Sequence, residues 1–329
     1  MTRARVTLIG LIVAVFLLAL ASFAVGPANL PLAGLLHGLF GGDDWVALVA
    51  REIRLPRVLL GLGIGAVLGL SGAALQGLLR NPLAEPALVG VSGLAGLGAV
   101  LVLYFGVGYG WPLAVPLAGI GGAALAVALL YGLAGREGGT ATLILAGVAI
   151  NSLAAAGTAL ALNFAASAFA AVEITFWLLG SLTDRSLIHV ALALPFMAVG
   201  AGLLLSCGRG LDTLALGEDT ARSLGTNLRS LRFRAIAGTG LAVGAAVAVC
   251  GAIGFVGLVV PHLLRPLFGH EPGRLLVPSA LGGAALVLGA DIVVRIVPTD
   301  QELKLGVVTA LIGAPFFLGL LWRLRRELA

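Results

Sequence analysis

A serine beside glycines is the first residue in this sequence whose setting suggests chemistry. Gly90-Val91-Ser92-Gly93 has the G-x-S-G pattern of an intramembrane serine protease. A serine nucleophile needs a base within hydrogen-bond reach, and the topology that we predict offers no histidine near the middle of the membrane on another helix. We therefore favour a Gly/Ser step for helix packing, with the protease as an alternative from a different functional class.

Metal and nucleotide chemistry find even less support. The four histidines are scattered, and His262 and His270 have no cysteine or carboxylate cluster beside them. The chain has a single lysine, Lys304, so a G-x-x-x-x-G-K-[ST] phosphate loop is absent. We predict no catalytic residue, no metal and no cofactor in this chain.

The acidic residues argue against ion coupling. Secondary transporters generally carry carboxylates or histidines near the middle of the membrane. All 15 acids here fall in or near the connections between apolar segments. A transporter without a coupling ion or a nucleotide loop takes its energy from another chain, and an ion-coupled transporter is the alternative.

The composition shows what class of protein must position these residues. Of 329 residues, 60% are apolar and 11% are charged, whereas a soluble chain is about one quarter charged. A soluble globule is excluded, and an all-α polytopic membrane protein remains. Cys207 and Cys250 lie in apolar stretches, so no disulfide is implied. We interpret the net charge of +5 by the side of the membrane on which the basic residues lie, and not as a sign of nucleic-acid binding.

The apolar runs predict ten spans in a single domain, residues 1–329. A span needs about 20 apolar residues, and the eighth run is short enough to be a partial helix. We interpret the first run as an uncleaved helix, with a signal peptide as the alternative. The spans are 6–25, 56–79, 88–106, 112–134, 141–163, 187–206, 235–252, 254–267, 275–297 and 305–322.

The distribution of basic residues predicts the orientation. With the N-terminus in the cytoplasm, 14 of the 20 basic residues lie inside, in agreement with the positive-inside rule. Both termini are then cytoplasmic, with outer loops at 26–55 and 164–186 and an inner loop at 207–234. The six outer basic residues are Arg51, Arg54, Arg57, Arg185, Arg295 and Lys304.

Glycines at four-residue spacing predict close helix packing. Gly61, Gly65 and Gly69 form one stripe, and Gly240 with Gly244 forms another. Such stripes let helix backbones approach each other in lipid. Packing within the chain is the interpretation that we favour, and a dimer face is the alternative.

The inner loop carries an amphipathic pattern. Apolar residues at 211, 214, 216, 221 and 224 predict two short helices, broken at Gly217 and capped at Gly225. A surface-lying helix would have a strongly basic polar face. Because acids precede the arginines here, we favour docking to a partner over lying on the membrane.

Two shorter motifs flank the second span. Arg54-Leu55-Pro56-Arg57 stands at its outer end, where snorkelling arginines and an acidic partner are both open interpretations. Asn81-Pro82-Leu83-Ala84-Glu85-Pro86 forms a stiff irregular turn at its inner end, suited to border a gate. Asp291 and Arg295 are expected to pair along one helix.

Taken in order, nine motifs resemble the iron-siderophore, haem and cobalamin permeases of bacterial ABC importers. They span about 270 residues: R-L-P-R at 54–57, S-G-A-A-L-Q at 71–76, R-N-P-L-A-E-P at 80–86, L-A-G-V-A-I at 145–150, F-W-L-L-G-S-L at 176–182, L-G-E-D-T-A-R-S-L-G at 216–225, G-F-V-G-L-V-V-P-H-L-L-R at 254–265, A-D-I-V-V-R at 290–295 and G-A-P-F-F-L at 313–318.

The resemblance implies roles for residues that match the family's motifs. Arg54, Arg57 and Arg295 would form salt bridges to the periplasmic substrate-binding protein. The coupling helices would dock into the ATPase subunit, and a cytoplasmic gate would close the pathway. The coupling residues are Leu216, Gly217, Glu218, Ala221, Leu224 and Gly225, and the gate residues are Asn81, Leu83, Thr140 and Ala141.

The resemblance also implies the assembly, a type II ABC importer in the bacterial inner membrane. Two copies of this chain would form a homodimer, with two cytoplasmic ATPases binding ATP and Mg²⁺ and alternating access driving import. The expected cargo is an iron chelate (siderophore or haem), with cobalamin next. Two positions depart from the family pattern: Lys304 replaces a proline, and Leu187-Ile188 stands where a tryptophan is common.

Overall fold

The computed structural model describes residues 3–42, 44–111, 113–134, 139–298 and 303–328. Within these ranges the chain is helical and contains no strand. The helices are α1 (Arg3–Ala24), α2 (Leu32–Phe40), α3 (Trp45–Leu48), α4 (Leu55–Leu78), α5 (Val91–Tyr104), α6 (Ala114–Ala134), α7 (Thr140–Asn163), α8 (Ala168–Leu178), α9 (Leu187–Leu205), α10 (Gly208–Ala215), α11 (Glu218–Ser223), α12 (Leu228–Cys250), α13 (Val256–Leu264), α14 (Pro272–Ile296) and α15 (Leu305–Leu328).

Each of the ten predicted spans corresponds to a helix. Seven helical segments in the described parts are long and apolar enough to cross a membrane. The predicted spans 88–106, 254–267 and 305–322 correspond to shorter apolar segments of α5, α13 and α15. The all-α polytopic fold is confirmed, and so is the short eighth helix.

The two loops predicted to lie on the outer side of the membrane contain helices that the sequence prediction left out. Residues 26–55 hold α2, α3 and a π-helical turn at Val49–Arg54 that leads directly into α4. Residues 164–186 hold α8. Asp44 Oδ1 accepts a hydrogen bond from Ala47 N at 3.0 Å and begins α3. Ser167 Oγ accepts one from Ala170 N at 3.1 Å and begins α8. Both are ordinary N-cap signals, so the sequence did contain the evidence for these helices.

Helix α4 lies at the centre of the bundle, and its glycines place it there. Eighteen of its 24 residues are buried. Gly65 lies against the backbone of Gly283 and Ala284, Gly69 against the carbonyl of Ser279, and Gly72 against Gly257. A side chain at any of these three glycines would overlap backbone atoms. The predicted stripe therefore packs helices within the chain, which confirms the intrachain interpretation.

The chain leaves helical geometry between α12 and α13, inside the bundle. Gly251 has φ of 76° and Phe255 has φ of 68°, so the backbone turns sharply at both ends of this five-residue segment. Ser181 N donates to Cys250 O at 2.7 Å, and Phe255 N donates to Glu85 Oε1 at 2.5 Å. Protein groups thus satisfy backbone that would otherwise be costly in a membrane.

The helices divide the molecule between two faces. One carries α10, α11, the Asn81 turn and the start of α7, and we call it the coupling face. The opposite one carries Arg54, Arg57 and Arg295, and we call it the arginine face. Helix α9 has 19 residues, so its first residue, Leu187, lies about 28 Å from its end beside α10. The connection before α9 therefore lies on the arginine face.

We expect Gly69→Ala to destabilise the fold, because its new methyl would meet the Ser279 carbonyl. Overpacking of this kind costs about 1–3 kcal/mol. Gly289→Ala is the matched control, since nothing lies within 4 Å of a methyl at that position on α14. Thermal unfolding in detergent should show a lower midpoint for Gly69→Ala alone. Equal midpoints for the two variants would contradict the packing described.

Candidate functional site

A buried carboxylate organises the arginine face. Asp291, on α14, is 1% exposed and accepts from two arginines. Arg57 Nε and Nη2 both lie 2.9 Å from Asp291 Oδ1, and Arg295 Nη2 lies 2.7 Å from Oδ2. The predicted Asp291–Arg295 pair is confirmed, but it is buried and shared with α4. Buried pairs are costly to break because they leave an uncompensated charge.

The remaining arginine donors bind the end of α1. Arg54 donates to the carbonyls of Phe23, Ala24 and Ala28 at 2.8, 2.5 and 2.8 Å. Arg295 donates to Ser22 O at 2.8 Å and Val25 O at 2.7 Å. The last carbonyls of a helix lack intrahelical partners and carry a partial negative charge. The guanidinium groups supply hydrogen-bond donors to these carbonyls and a positive charge beside the helix end.

Arg54, Arg57, Asp291 and Arg295 together form what we call the arginine cluster. The structure brings the three arginines predicted from the sequence to one place. In the isolated chain they join α1, α4 and α14, and the Arg54 residue is only 4% exposed. Their role in docking a partner stays a prediction.

Two short helices form the coupling segment, residues 208–225. The predicted break at Gly217 is confirmed, and its φ of 109° excludes most other residues. At Gly225, with φ of 80°, the N–H donates to Arg222 O while Thr226 N donates to Ala221 O. These two bonds form a Schellman cap. The helices predicted from the apolar pattern, and the cap that ends them, are both present.

The apolar residues of this segment divide into two groups. Leu211, Leu214 and Ala221 are buried against the body of the protein, with at most 3% exposure. Leu216 and Leu224, which flank α11, are 65% and 60% exposed. Between them, Glu218 pairs with Arg222 at 3.1 Å and with Arg232 at 2.8 Å. The segment is held to the bundle and presents two leucines outward.

Helix α10 contacts the ends of both α4 and α14. Leu211 packs over Gly77, where a Cβ would lie 3.4 Å from the Leu211 Cδ2 atom. Asp212 Oδ1 accepts from Gly273 N at 2.7 Å, in the first turn of α14. This carboxylate supplies the cap that α14 lacks from its own preceding residue. A displacement of α10 therefore acts directly on two long helices.

The predicted gate turn follows α4 without interruption. Asn81 Oδ1 accepts from Leu83 N at 2.9 Å and fixes the turn. Before it, Gln76 Nε2 donates to the carbonyl of Gly257 at 3.3 Å, and Gln76 Oε1 accepts from Arg265 Nη2 at 2.5 Å. A cavity of about 220 Å³ lies between this turn and the end of α10, at Ala215.

The segment after the turn enters the bundle. Ala87 O accepts from Asn151 Nδ2 at 2.5 Å, and Leu88 O packs on Gly147 of α7. These α7 residues lie seven and eleven positions after Thr140, about 10–17 Å along the helix. The contacts with α7 are thus made by Ala87 and Leu88, which follow the turn, and not by Asn81 or Leu83. Thr140 is half-buried and Ala141 exposed at the start of α7.

Sequence reasoning missed the polar residues that tie these parts together. Gln76, Glu85, Asp212 and Arg265 all bond between elements far apart in the chain. Each is a polar residue at or beside the end of an apolar run, which was the available signal. No group of three histidine, cysteine or acidic side chains in the described residues is arranged to hold a metal ion.

Comparison with known proteins identifies the family. The FecCD transport family matches residues 5–323. The chain belongs to the FecCD transport family. Its members are permease subunits of ABC importers, which confirms the resemblance carried by the nine motifs.

Relatives within the FecCD family match over three quarters or more of their length. The vitamin B12 import system permease protein BtuC of Klebsiella pneumoniae is 40% identical over 91% of this chain and 93% of that protein. The cobalamin import system permease protein BtuC of Halobacterium salinarum is 40% identical over 86% of this chain and 75% of its own length. The uncharacterized ABC transporter permease protein YvrB of Bacillus subtilis is 40% identical over 88% of this chain.

A solved structure confirms the fold of this FecCD-family chain. It is described as an inward-facing conformation of a metal-chelate type ABC transporter. The TM-score is 0.82 at 32% identity, covering 97% of this chain and 99% of that one. The type II importer permease fold predicted from the sequence is therefore present.

We expect Asp291→Asn to lower stability by about 3–5 kcal/mol, because Arg57 and Arg295 would lose their shared buried carboxylate. Glu271→Gln is the control: its partner Arg274 is 70% exposed, and such pairs contribute about 0–1 kcal/mol. Thermal unfolding in detergent measures both. A loss no larger than that of Glu271→Gln would show that the cluster does not hold the arginine face together.

Proposed function

We propose that this chain is the membrane-spanning subunit of an importer for a metal chelate, driven by ATPase chains at its coupling face. Helix α10 carries this proposal, because it joins the exposed leucines of the coupling segment to the turn predicted as the gate. The coupling face is then cytoplasmic, the arginine face is periplasmic, and both termini are inside the cell. The chain itself performs no reaction and holds neither ATP nor Mg²⁺.

The route from ATPase to gate follows contacts in the structure. An ATPase groove would take Leu216 and Leu224, and the ion pairs of Glu218 would keep α11 rigid beneath them. Motion of α10 would reach α4 through Leu211 and Gly77, four residues before Asn81. ATP binding can shift the gate only if the ATPases contact this segment differently in the two states.

A second copy of the chain would complete the pathway. Helix α7 exposes a seam of small residues at helical spacing, Ala149, Ser152, Ala156 and Ala159. Small residues let helices pack closely in lipid, so this seam suits a partner helix better than lipid alone. Thr140 and Ala141 lie at the coupling-face end of the same helix. Two copies facing each other here would place both gates beside a central channel.

The periplasmic binding protein would dock on the arginine face. Arg54, Arg57 and Arg295 remain our predicted contacts, and they lie close together as that role requires. Their donors bind Asp291 and the end of α1 in the isolated chain. An acidic side chain of the binding protein would therefore have to join or displace these bonds.

Large metal chelates are the cargo class that relatives support. Two of the similar permeases are named for vitamin B12 or cobalamin, which is a cobalt chelate. The iron chelate predicted from the sequence, siderophore or haem, belongs to the same class. Walls of glycine, alanine and leucine suit a bulky solute that is held by the binding protein and only passed through here.

We expect Leu216→Ser with Leu224→Ser to weaken binding of the ATPase chains by about a hundredfold or more. Burying two leucines contributes about 1.5–3 kcal/mol each, and each 1.4 kcal/mol is tenfold in affinity. Leu48→Ser is the control, since Leu48 is 63% exposed on the arginine face. Co-purification of the ATPase from detergent measures the effect. Equal recovery from all three proteins would exclude this docking surface.

The energy source and cargo are tested together in proteoliposomes holding this chain, its ATPase and its binding protein. We expect uptake that requires ATP and is unaffected by a proton ionophore. Cobalamin, haem and ferric siderophore differ in absorbance, so the absorbance spectrum of the trapped solute identifies the cargo. Uptake that persists without ATPase chains but collapses with the ionophore would establish the ion-coupled alternative.

A further inference from the structure

Among the described residues of the arginine face, Arg185 is a cation without a hydrogen-bond partner. Of its six basic residues, four donate to acceptors: Arg51 binds the carbonyls of Gly38 and Gly42, and the other three form the arginine cluster. Lys304 lies over the Phe176 ring, 5.4 Å from its centroid. Among the described residues, nothing accepts a hydrogen bond from Arg185, and its Nε is buried.

Arg185 faces a cavity of about 270 Å³ on the arginine face. The cavity lies between the α5–α6 connection, at Gly106 and Gly108, and the start of α9. Trp177 of α8 lines another side. Burial lowers the pKa of the Arg185 guanidinium, and Cys250 and Asp184 oppose that shift. Arginine nevertheless stays charged in proteins, so a largely buried charge here lacks an acceptor.

His189 provides a second donor to this cavity. Its Nδ1 accepts from the Ser186 backbone N–H at 3.2 Å, which assigns the ring proton to Nε2. The imidazole ring lines the cavity with Arg185. A guanidinium and an imidazole N–H in one opening match the two oxygens of a carboxylate.

The charge of the lining indicates how such a carboxylate arrives. Glu173 also lines the cavity, so the formal charges of Glu173 and Arg185 cancel. A free monoanion would gain little from a site with no net charge. A carboxylate attached to a docked protein avoids this limit, because docking raises its effective concentration to about millimolar.

We propose that the Arg185 cavity receives an acidic side chain of the periplasmic binding protein. It is a docking contact separate from the arginine cluster, and it rests on the proposed importer function. Unlike the arginine cluster, the Arg185 cavity can bind the partner without the loss of a hydrogen bond within the chain. The partner therefore has an aspartate or glutamate on a protruding loop that reaches between α6 and α9.

The first experiment measures binding-protein affinity for the assembled importer in nanodiscs at low salt. We expect Arg185→Gln to weaken binding about tenfold, as for loss of one partly desolvated ion pair. Arg185→Lys, which keeps the charge, should retain part of the affinity. Arg51→Gln removes the same charge from the same face and should change affinity less than about twofold, because this arginine already binds two carbonyls. Unchanged affinity in Arg185→Gln would overturn the proposal.

A second measurement uses the permease alone, with Trp45, Trp111 and Trp322 replaced by Phe so that Trp177 remains. Because the charges of Glu173 and Arg185 cancel, iodide should quench Trp177 no more than neutral acrylamide does, relative to the same protein carrying Arg185→Gln. Iodide sensitivity with unchanged binding-protein affinity would mean that the site takes free anions, against our proposal. If no binding protein supports uptake, the proposed function and this occupant both fail. The iodide result would then still show whether the cavity attracts an anion.

Discussion

The close approach of α4 to its neighbours constrains every other part of this molecule. Gly65, Gly69 and Gly72 place the α4 backbone directly against α14 and the start of α13. Lipid provides no hydrophobic drive for helix association, so dense backbone contact must supply the attraction. Both ends of α4 then fall where function is expected. Its first turn carries Arg57, and its last turn leads to Asn81.

A second principle is that helix ends are satisfied by side chains from elsewhere in the chain. Arg54 and Arg295 bind the last carbonyls of α1, Asp212 caps α14, and Glu85 binds the N–H that precedes α13. At a water surface these groups would be hydrated. Within a membrane an unsatisfied backbone group costs several kcal/mol, so these few polar residues help fix where α1 ends and where α13 and α14 begin.

Composition and apolar periodicity were sufficient to predict the ten principal helices, the short eighth one and the two coupling helices. These follow from local sequence, because helix length and amphipathicity are local properties. The Asp291–Arg295 pair followed from four-residue spacing. What could not be predicted were contacts between distant segments, such as Gln76 with Gly257 or Glu85 with Phe255. The arginine motif shows the same limit: its position was predictable, but its bonds to α1 were not.

Because Asp212 caps α14, this one helix links the coupling segment to the arginine cluster. Its 25 residues run about 37 Å, from Gly273 under α10 to Arg295 at the opposite face. A shift of α14 along its axis would move both of these ends, although Pro278 removes one backbone hydrogen bond between them. By thermodynamic linkage, if a shift of α10 alters the arginine cluster, a change at the arginine cluster also shifts α10. A ligand at the arginine cluster would then change the free energy of seating α10 by the same amount.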